Sequence, residues 1–245
     1  MPVFLGAHVL IALAFAVHAV RSGQPIYWLV ILFMFPGLGS LVYAVTVVLP
    51  GLGQSPQARR AGAAARRLID PERELRTALH QLEISRTPGN LKRAGEALLA
   101  LERPREALDL YREATEGAFR EDAALLQGRA QAEFESGDVG AALQTLETLK
   151  SAHPTLRLPG AHLLYARALE AAGRREEALA EYEAVSGYFP GAEAQARWAM
   201  ALEADGRREA ARERWQHILS AARIAPQHAR RMQKRWIDLA RSRAG

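Results

Sequence analysis

The chain has 245 residues, of which 49% are hydrophobic and 24% are charged, and its formal net charge is +5 at pH 7. It contains no cysteine, which excludes disulfide bonds, cysteine-ligated metal sites and thiol catalysis. The first fifty positions are strongly apolar, and the remainder is rich in Ala, Leu, Arg and Glu, a composition typical of helices. We therefore expect an all-α protein with an apolar N-terminal segment and a longer helical domain.

Two apolar stretches open the chain. Residues 3–20 contain no Asp, Glu, Lys or Arg and would extend about 27 Å as a helix, close to the roughly 30 Å hydrocarbon core of a bilayer. A secretory signal peptide is the alternative, but no Lys or Arg precedes the run, and a second run at residues 26–49 follows a short polar turn. Residues 1–50 are therefore predicted to form a two-helix transmembrane hairpin.

The second apolar run contains Pro36 and Gly37, which predict a kink within one continuous helix. Lys and Arg near membrane spans favour the cytoplasmic side. The turn of the hairpin has one arginine, whereas the segment after the second run has four. We therefore expect a multi-pass protein of a bacterial inner membrane with its larger domain in the cytoplasm. The four arginines are Arg59, Arg60, Arg66 and Arg67.

The N-terminal segment also resembles a known family. Trp28, the aliphatic run after it, the PGLG sequence at 36–39 and Tyr43 are similar to the membrane hairpin found ahead of phospholipase D-type nuclease and cardiolipin synthase domains. The likeness covers only residues 1–50. Those enzymes use a His-x-Lys signature, and no histidine here is followed two positions later by lysine. The resemblance therefore implies a membrane anchor without phospholipase activity.

A basic linker joins the apolar segment to the helical domain. Residues 51–71 begin with a Gly- and Pro-rich stretch, typical of a domain boundary, and continue as an Ala- and Arg-rich helix. Basic residues beside an anionic leaflet gain about 1 kcal/mol each. An amphipathic helix at residues 72–86 is then expected to cover the front of a repeat array.

Four copies of one helical pattern follow. Ala107, Ala142, Ala178 and Ala211 are separated by 35, 36 and 33 residues, and each has a large side chain four positions later. Glycines such as Gly173 mark the turn between paired helices. This pattern resembles the tetratricopeptide (TPR) repeat, a helix pair of about 34 residues. The resemblance implies a TPR-like α-solenoid of about four repeats at residues 72–225.

In such solenoids the first helix of each repeat lines a concave groove. The groove positions here mix polar, charged and apolar side chains, which suits a protein or peptide ligand; solvated positions without a ligand are the alternative. The family's clamp for chaperone tails is not implied, because Glu96 and Gly128 stand where it uses Asn. The predicted groove residues are Lys92, Glu96, Gln127, Gln131, Phe134, Arg167, Glu170, Met200 and Glu203.

Residues 226–245 are predicted to form one capping helix whose apolar stripe of Ala229, Met232, Trp236 and Leu239 faces the last repeat. The opposite face is basic, and is either solvated or in contact with lipid headgroups or an acidic protein. No stacking aromatic lies among its charges, so no nucleic-acid partner is expected. The basic face includes Arg230, Arg231, Lys234 and Arg235.

The chain shows no pattern typical of catalysis. Its seven histidines are scattered, and neither a nucleophile elbow nor a phosphate-binding loop is present. We predict no enzyme activity, cofactor or metal. The sequence instead predicts a membrane-anchored TPR adaptor that binds protein partners and contacts lipid through its two spans. A periplasm-facing assembly factor for envelope proteins, a lipid-regulatory module and self-association into a homo-oligomer stay open.

Overall fold

A computed structural model describes residues 2–48 and 70–244, which fall into two compact units, Met1–Pro71 and Glu72–Gly245. Every regular element within the described residues is helical, which confirms the all-α prediction for that part of the chain. Almost all of the predicted basic linker, residues 51–71, lies outside the described residues. Its four arginines, Arg59, Arg60, Arg66 and Arg67, lie outside them as well.

The first unit is a helical hairpin. Helix α1 (Pro2–Arg21) enters a tight turn, and the chain returns through α2 (Tyr27–Met34), α3 (Pro36–Tyr43) and a short π-helix (Ala44–Val48). Helix α1 packs against both α2 and α3. The hydroxyl of Tyr43 lies 2.9 Å from His18 Nδ1 inside the hairpin. The buried core beside this contact consists of Ala16, Ala19, Trp28, Leu32 and Tyr43.

The prediction that the second apolar run forms one continuous, kinked helix is wrong. Phe35 separates α2 from α3 with φ −135° and ψ 72°, because a proline disfavours the helical conformation of the residue before it. After the break, Gly39 lies so close to α2 that a Cβ atom there would stand 2.7 Å from the carbonyl oxygen of Ile31. Within residues 2–48 and 70–244, no helix combines the length and the apolar character needed to cross a membrane.

The second unit begins with α4 (Arg73–Ile84) and continues as four antiparallel helix pairs. The pairs are α5 (Pro88–Ala100) with α6 (Pro104–Ala114), α7 (Ala123–Glu135) with α8 (Val139–Ala152), α9 (Pro159–Ala171) with α10 (Arg175–Ser186), and α11 (Glu193–Ala204) with α12 (Arg208–Ile224). Each helix packs on the next one along the chain, which is the arrangement of an α-solenoid.

The first two pairs show how small residues set the helix crossings. The ring of Tyr111, which is 1% exposed, fills a gap between α5 and α7. A Cβ atom added to Gly95 would lie 2.6 Å from this ring, and one added to Gly128 would lie 2.3 Å from it. The aromatic side chain therefore occupies the space that two glycines leave, in agreement with the repeat pattern.

The second repeat places a carboxylate at a position that is apolar in the other repeats. Glu133 is 1% exposed and accepts hydrogen bonds from Arg129 Nε at 2.8 Å and from Thr145 Oγ1 at 2.6 Å. Arg129 also donates to Thr115 Oγ1 at 3.3 Å. The polar residues in this core therefore satisfy one another, as buried polar groups must.

The chain ends in two helices rather than the single capping helix predicted. Gln233, with φ −99° and ψ 11°, separates α13 (Gln227–Met232) from α14 (Lys234–Arg243). Its side-chain oxygen accepts a 3.1 Å hydrogen bond from the backbone amide of Ala192, which ties the break to the start of α11. Ile237 and Ala240 of α14 pack in the core of the last repeat. Met232, predicted to face that core, is instead 85% exposed.

Candidate functional site

The first helices of the repeats form the inner side of the solenoid. Helix α5 contacts α7, and α7 contacts α9, whereas no contact as extensive joins the second helices α6, α8 and α10 to one another. An array whose first helices lie closer together curves towards them, so these helices line its concave face. The predicted groove residues all belong to this set of helices. They are distributed as Lys92 and Glu96 on α5, Gln127, Gln131 and Phe134 on α7, Arg167 and Glu170 on α9, and Met200 and Glu203 on α11.

Two of the groove acids are held by aromatic residues of their own repeats. The hydroxyl of Tyr182 donates a 2.6 Å hydrogen bond to Glu170, and the indole of Trp215 donates a 2.8 Å hydrogen bond to Glu203. In both pairs the acid precedes the aromatic by twelve residues. Burial, followed by the hydrogen bond to Glu170, raises the pKa of Tyr182, so this hydroxyl stays protonated as a donor. Glu170 and Glu203 are therefore engaged within the fold.

The first two repeats also satisfy most of their groove side chains internally. The ammonium of Lys92 lies 2.5 Å from the carboxylate of Glu96 in an exposed pair. The side-chain amide of Gln131 donates to Glu135 on the same helix. Exposed pairs of this kind contribute little stability, typically below about 1 kcal/mol, and exchange readily with a ligand.

Arg167 differs from the other charged groove residues. Its guanidinium lies over the ring of Phe134, 4.8 Å from the ring centre, and forms no ion pair within the described residues. Burial, followed by repulsion from Arg197, lowers the pKa of Arg167. Arg197 is itself paired with Glu193 at 2.8 Å. The groove thus presents a partly desolvated cation whose hydrogen-bond donors are available to a carboxylate.

Arg197 was not among the predicted groove residues. Arg197 is partly buried, and its guanidinium also lies 5.3 Å from the centre of the Trp236 ring on α14. No local sequence signal indicates this contact, because the two residues are far apart along the chain. Within the described residues, no cluster of His, Cys, Asp and Glu could hold a metal ion.

A pocket of about 400 Å³ lies outside the groove, between α8, α9 and α10. His162 Nδ1 is 2.5 Å from the hydroxyl of Tyr188, and His162 Nε2 is 2.5 Å from Glu181 Oε2. Lys150 approaches the other oxygen of Glu181 at 3.0 Å. The hydrogen bond from His162 is the main cause that lowers the pKa of Glu181 to about 2. Because these groups satisfy one another, the cluster is best explained as a clamp between the second and third repeats.

The predicted basic face is split between α13 and α14. Lys234 pairs with Asp238 at 2.5 Å, and the guanidinium of Arg235 lies 4.9 Å from the centre of the Trp236 ring. Arg230 and Arg231 line an open cleft and form no side-chain hydrogen bond or ion pair within residues 2–48 and 70–244. The face therefore combines engaged and free cations.

No protein-family model matches the sequence, and the comparison with curated proteins found no match. Among solved structures, the chain is similar to the crystal structure of TTC0263, a thermophilic TPR protein of Thermus thermophilus, with a TM-score of 0.54 and 18% sequence identity. The match covers 67% of this chain and 90% of that chain. At this identity the likeness concerns the fold alone. It confirms a TPR-like helical-repeat fold, while the predicted likeness of residues 1–50 to phospholipase D-type hairpins has no counterpart in these comparisons.

Proposed function

We propose that this protein is a TPR-like adaptor that holds an acidic segment of a protein partner in the groove of its first helices. The observation that carries the proposal is Arg167, a partly buried guanidinium stacked on Phe134 without an ion pair in the described part of the chain. A guanidinium so placed gains most from two parallel hydrogen bonds to one carboxylate. The ligand therefore places an Asp or Glu side chain at the third repeat.

On either side of Arg167, the groove suits a ligand that carries both apolar and polar side chains. Phe134 and Met200 are partly buried and offer apolar contacts on the neighbouring repeats, and the amide of Gln131 can exchange its intrahelical hydrogen bond for one to a ligand. An extended or helical peptide meets such alternating contacts along a groove. Specificity for the acid then comes from Arg167, and additional affinity comes from the flanking positions.

The groove proposal is tested by site-specific photo-crosslinking in native membranes. A photoreactive amino acid at Gln131 or Met200 is expected to capture the same protein, and the same probe at Ala180, which is exposed on the second helix α10, is expected not to. Adding Arg167→Glu should abolish the capture, whereas adding Arg212→Glu on α12 should not. Equal capture from Ala180, or capture that survives Arg167→Glu, would exclude the groove as the binding site.

The proposed adaptor is attached to a membrane through its first unit. Large apolar side chains are exposed along α1, α2 and α3, although soluble proteins rarely expose extensive apolar patches. Insertion of these side chains into lipid would remove them from water without burying a charge. They include Val9, Leu10, Ile11, Leu13, Val17, Val20, Val30, Phe33, Met34, Phe35, Leu38 and Leu41.

We further propose that the repeat unit faces the cytoplasm of a bacterial inner membrane, because the arginines at 59–67 follow the apolar segment. The protein should then remain in the membrane pellet after alkaline extraction. Protease added to intact spheroplasts should leave the repeat unit uncut until the cells are lysed. Extraction by alkali would exclude stable insertion, and cleavage in intact spheroplasts would instead favour the periplasm-facing alternative.

A further inference from the structure

The C-terminal end of the second unit carries a cleft that the groove proposal does not use. It has a volume of roughly 570 Å³ and lies between α12, α13 and α14. Its lining includes five basic side chains and a single acidic one, Asp238. The basic residues are Arg223, Arg230, Arg231, Lys234 and Arg241.

The positive charge of this cleft is only partly compensated. Asp238 accepts from Lys234 at 2.5 Å and from Arg241 at 2.8 Å, so the one carboxylate is already shared by two cations. Arg223, Arg230 and Arg231 are exposed and make no side-chain hydrogen bond or ion pair within the described ranges. Three free guanidinium groups at one cleft create a local excess of positive charge that attracts an anionic surface.

Two apolar side chains protrude from the same stretch of chain. Ile224 is 88% exposed and Met232 is 85% exposed, which makes them the most exposed large apolar residues of the described second unit. Ile224 directly follows Arg223, and Met232 directly follows Arg231. Apolar side chains that enter the boundary between headgroups and acyl chains, next to cations that meet the headgroups, are typical of interfacial membrane binding.

We propose that the C-terminal region binds to an anionic lipid membrane through the cleft cations Arg223, Arg230 and Arg231 and through the exposed Ile224 and Met232 beside them in the sequence. The proposal does not depend on the hairpin or on the groove. The structure favours lipid over nucleic acid, because single-stranded nucleic acid stacks its bases on accessible aromatic rings. The nearby aromatic, Trp236, is partly buried, and the guanidinium groups of Arg197 and Arg235 already lie over its ring.

The test uses the full-length chain and the absence of cysteine from its sequence. Met232→Cys is labelled with an environment-sensitive fluorophore and mixed with vesicles of phosphatidylcholine alone or with added phosphatidylglycerol. We expect a blue shift of the emission on the anionic vesicles only, and its loss as salt screens the attraction. Ala180→Cys, labelled at an exposed position of α10, is the matched control and should show no shift on either vesicle.

Charge variants then identify the responsible residues. Replacing Arg223, Arg230 and Arg231 with Gln should abolish the shift at position 232, since each basic residue near an anionic leaflet contributes about fivefold to partitioning. Lysine at the same three positions should retain it. As a control, replacing the exposed Arg105, Arg120 and Arg175 with Gln removes the same number of charges and should leave the emission shift intact.

Three results would overturn the proposal: no shift on anionic vesicles, an equal shift on neutral vesicles, or a shift that survives the Gln variant. A shift produced by single-stranded DNA but not by anionic vesicles would assign the surface to nucleic acid instead. Flotation of the protein with neutral vesicles reports on the hairpin separately. Failure of hairpin attachment and failure of this C-terminal contact therefore give different results.

Discussion

The guanidinium of Arg167 lies 4.8 Å from the centre of the Phe134 ring, and the two residues belong to the first helices of adjacent repeats. A cation over an aromatic face is attracted to it by about 0.5–2 kcal/mol, depending on its exposure. This contact holds the guanidinium in place while its N–H groups meet no carboxylate among residues 2–48 and 70–244. In the proposed function, the third repeat accepts an acid from another molecule, and the two neighbouring helices position the guanidinium.

Arg167 should contribute little to folding, because loss of water on burial and, second, repulsion from Arg197 both work against its charge. Arg167→Met keeps the apolar stem over Phe134 and removes the charge. We expect the free energy of unfolding either to rise or to fall by less than about 1 kcal/mol in the case of a loss. Urea denaturation measures this change. A loss of several kcal/mol would mean that Arg167 is a structural residue rather than a ligand-binding one.

The packing of Tyr111 predicts that a substitution of Gly128, in α7, destabilises the fold. Gly128→Ala improves helix propensity by up to about 1 kcal/mol, but places a methyl group 2.3 Å from a ring that is fully enclosed. Overpacking of this kind costs about 1–3 kcal/mol, so we expect a lower melting temperature. Gly89→Ala in α5 meets nothing within 4 Å and serves as the control, with an unchanged or higher melting temperature.

Because the carboxylate of Glu133 is buried, we expect substitutions of Arg129 and Glu133 to have strongly non-additive effects on the free energy of unfolding. Arg129→Leu leaves the carboxylate buried without its cation and should reduce the free energy of unfolding by about 3–5 kcal/mol. The double variant Arg129→Leu with Glu133→Leu restores an apolar core and should recover most of this loss. Chemical denaturation of the wild type, the two single variants Arg129→Leu and Glu133→Leu, and the double variant measures the coupling. Additive losses would show that the pair is not a buried unit.

Glu181 of the third repeat contacts His162 of the same repeat and Lys150 of the second repeat, which predicts an acid-sensitive junction between the two repeats. The pKa of Glu181 in the folded protein, about 2, lies below its ordinary value of 4.5, and the hydrogen bond from His162 is the largest cause. The contact therefore stabilises the fold fully above about pH 4.5, and this contribution is lost as the pH falls towards about 2. Protonating the carboxylate removes the charge that favours the folded state.

Glu181→Gln should accordingly flatten the decline of melting temperature with falling pH over this range. Glu183→Gln, an exposed change on the same helix, is the matched control and should leave the decline as in the wild type. An identical pH profile for Glu181→Gln and the wild type would show that the clamp does not contribute to stability in solution.

The repeat architecture could be predicted because its signals are local and recur. Small residues at the helix crossings and large ones four positions after Ala107, Ala142, Ala178 and Ala211 set the register without any tertiary information. The same register placed Arg167 on the inner face. It could not show that Arg167 has no carboxylate partner in the described part of the chain, because Phe134 and Arg197 beside it come from other repeats.

The features that the sequence did not predict depend on contacts between distant residues. Arg129 and Glu133 look like interruptions of an apolar pattern until Thr145, on the partner helix, is placed against the carboxylate. The break at Gln233 has no local proline or glycine, and it coincides with a hydrogen bond from the distant backbone amide of Ala192. The break at Phe35 differs, because the proline that follows it is a local signal, although that signal alone does not distinguish a kink from a full interruption.

A random-peptide display selection tests the binding role of Arg167 most directly. It is carried out in parallel on the wild type, on Arg167→Ala and on Arg212→Ala, an exposed arginine of α12. We predict that the wild type and Arg212→Ala enrich peptides carrying Asp or Glu at one fixed position, and that Arg167→Ala loses this enrichment. A wild-type selection without an acidic position, or the same acidic preference on Arg167→Ala, would contradict the proposal that the groove binds its partner through a carboxylate at the third repeat.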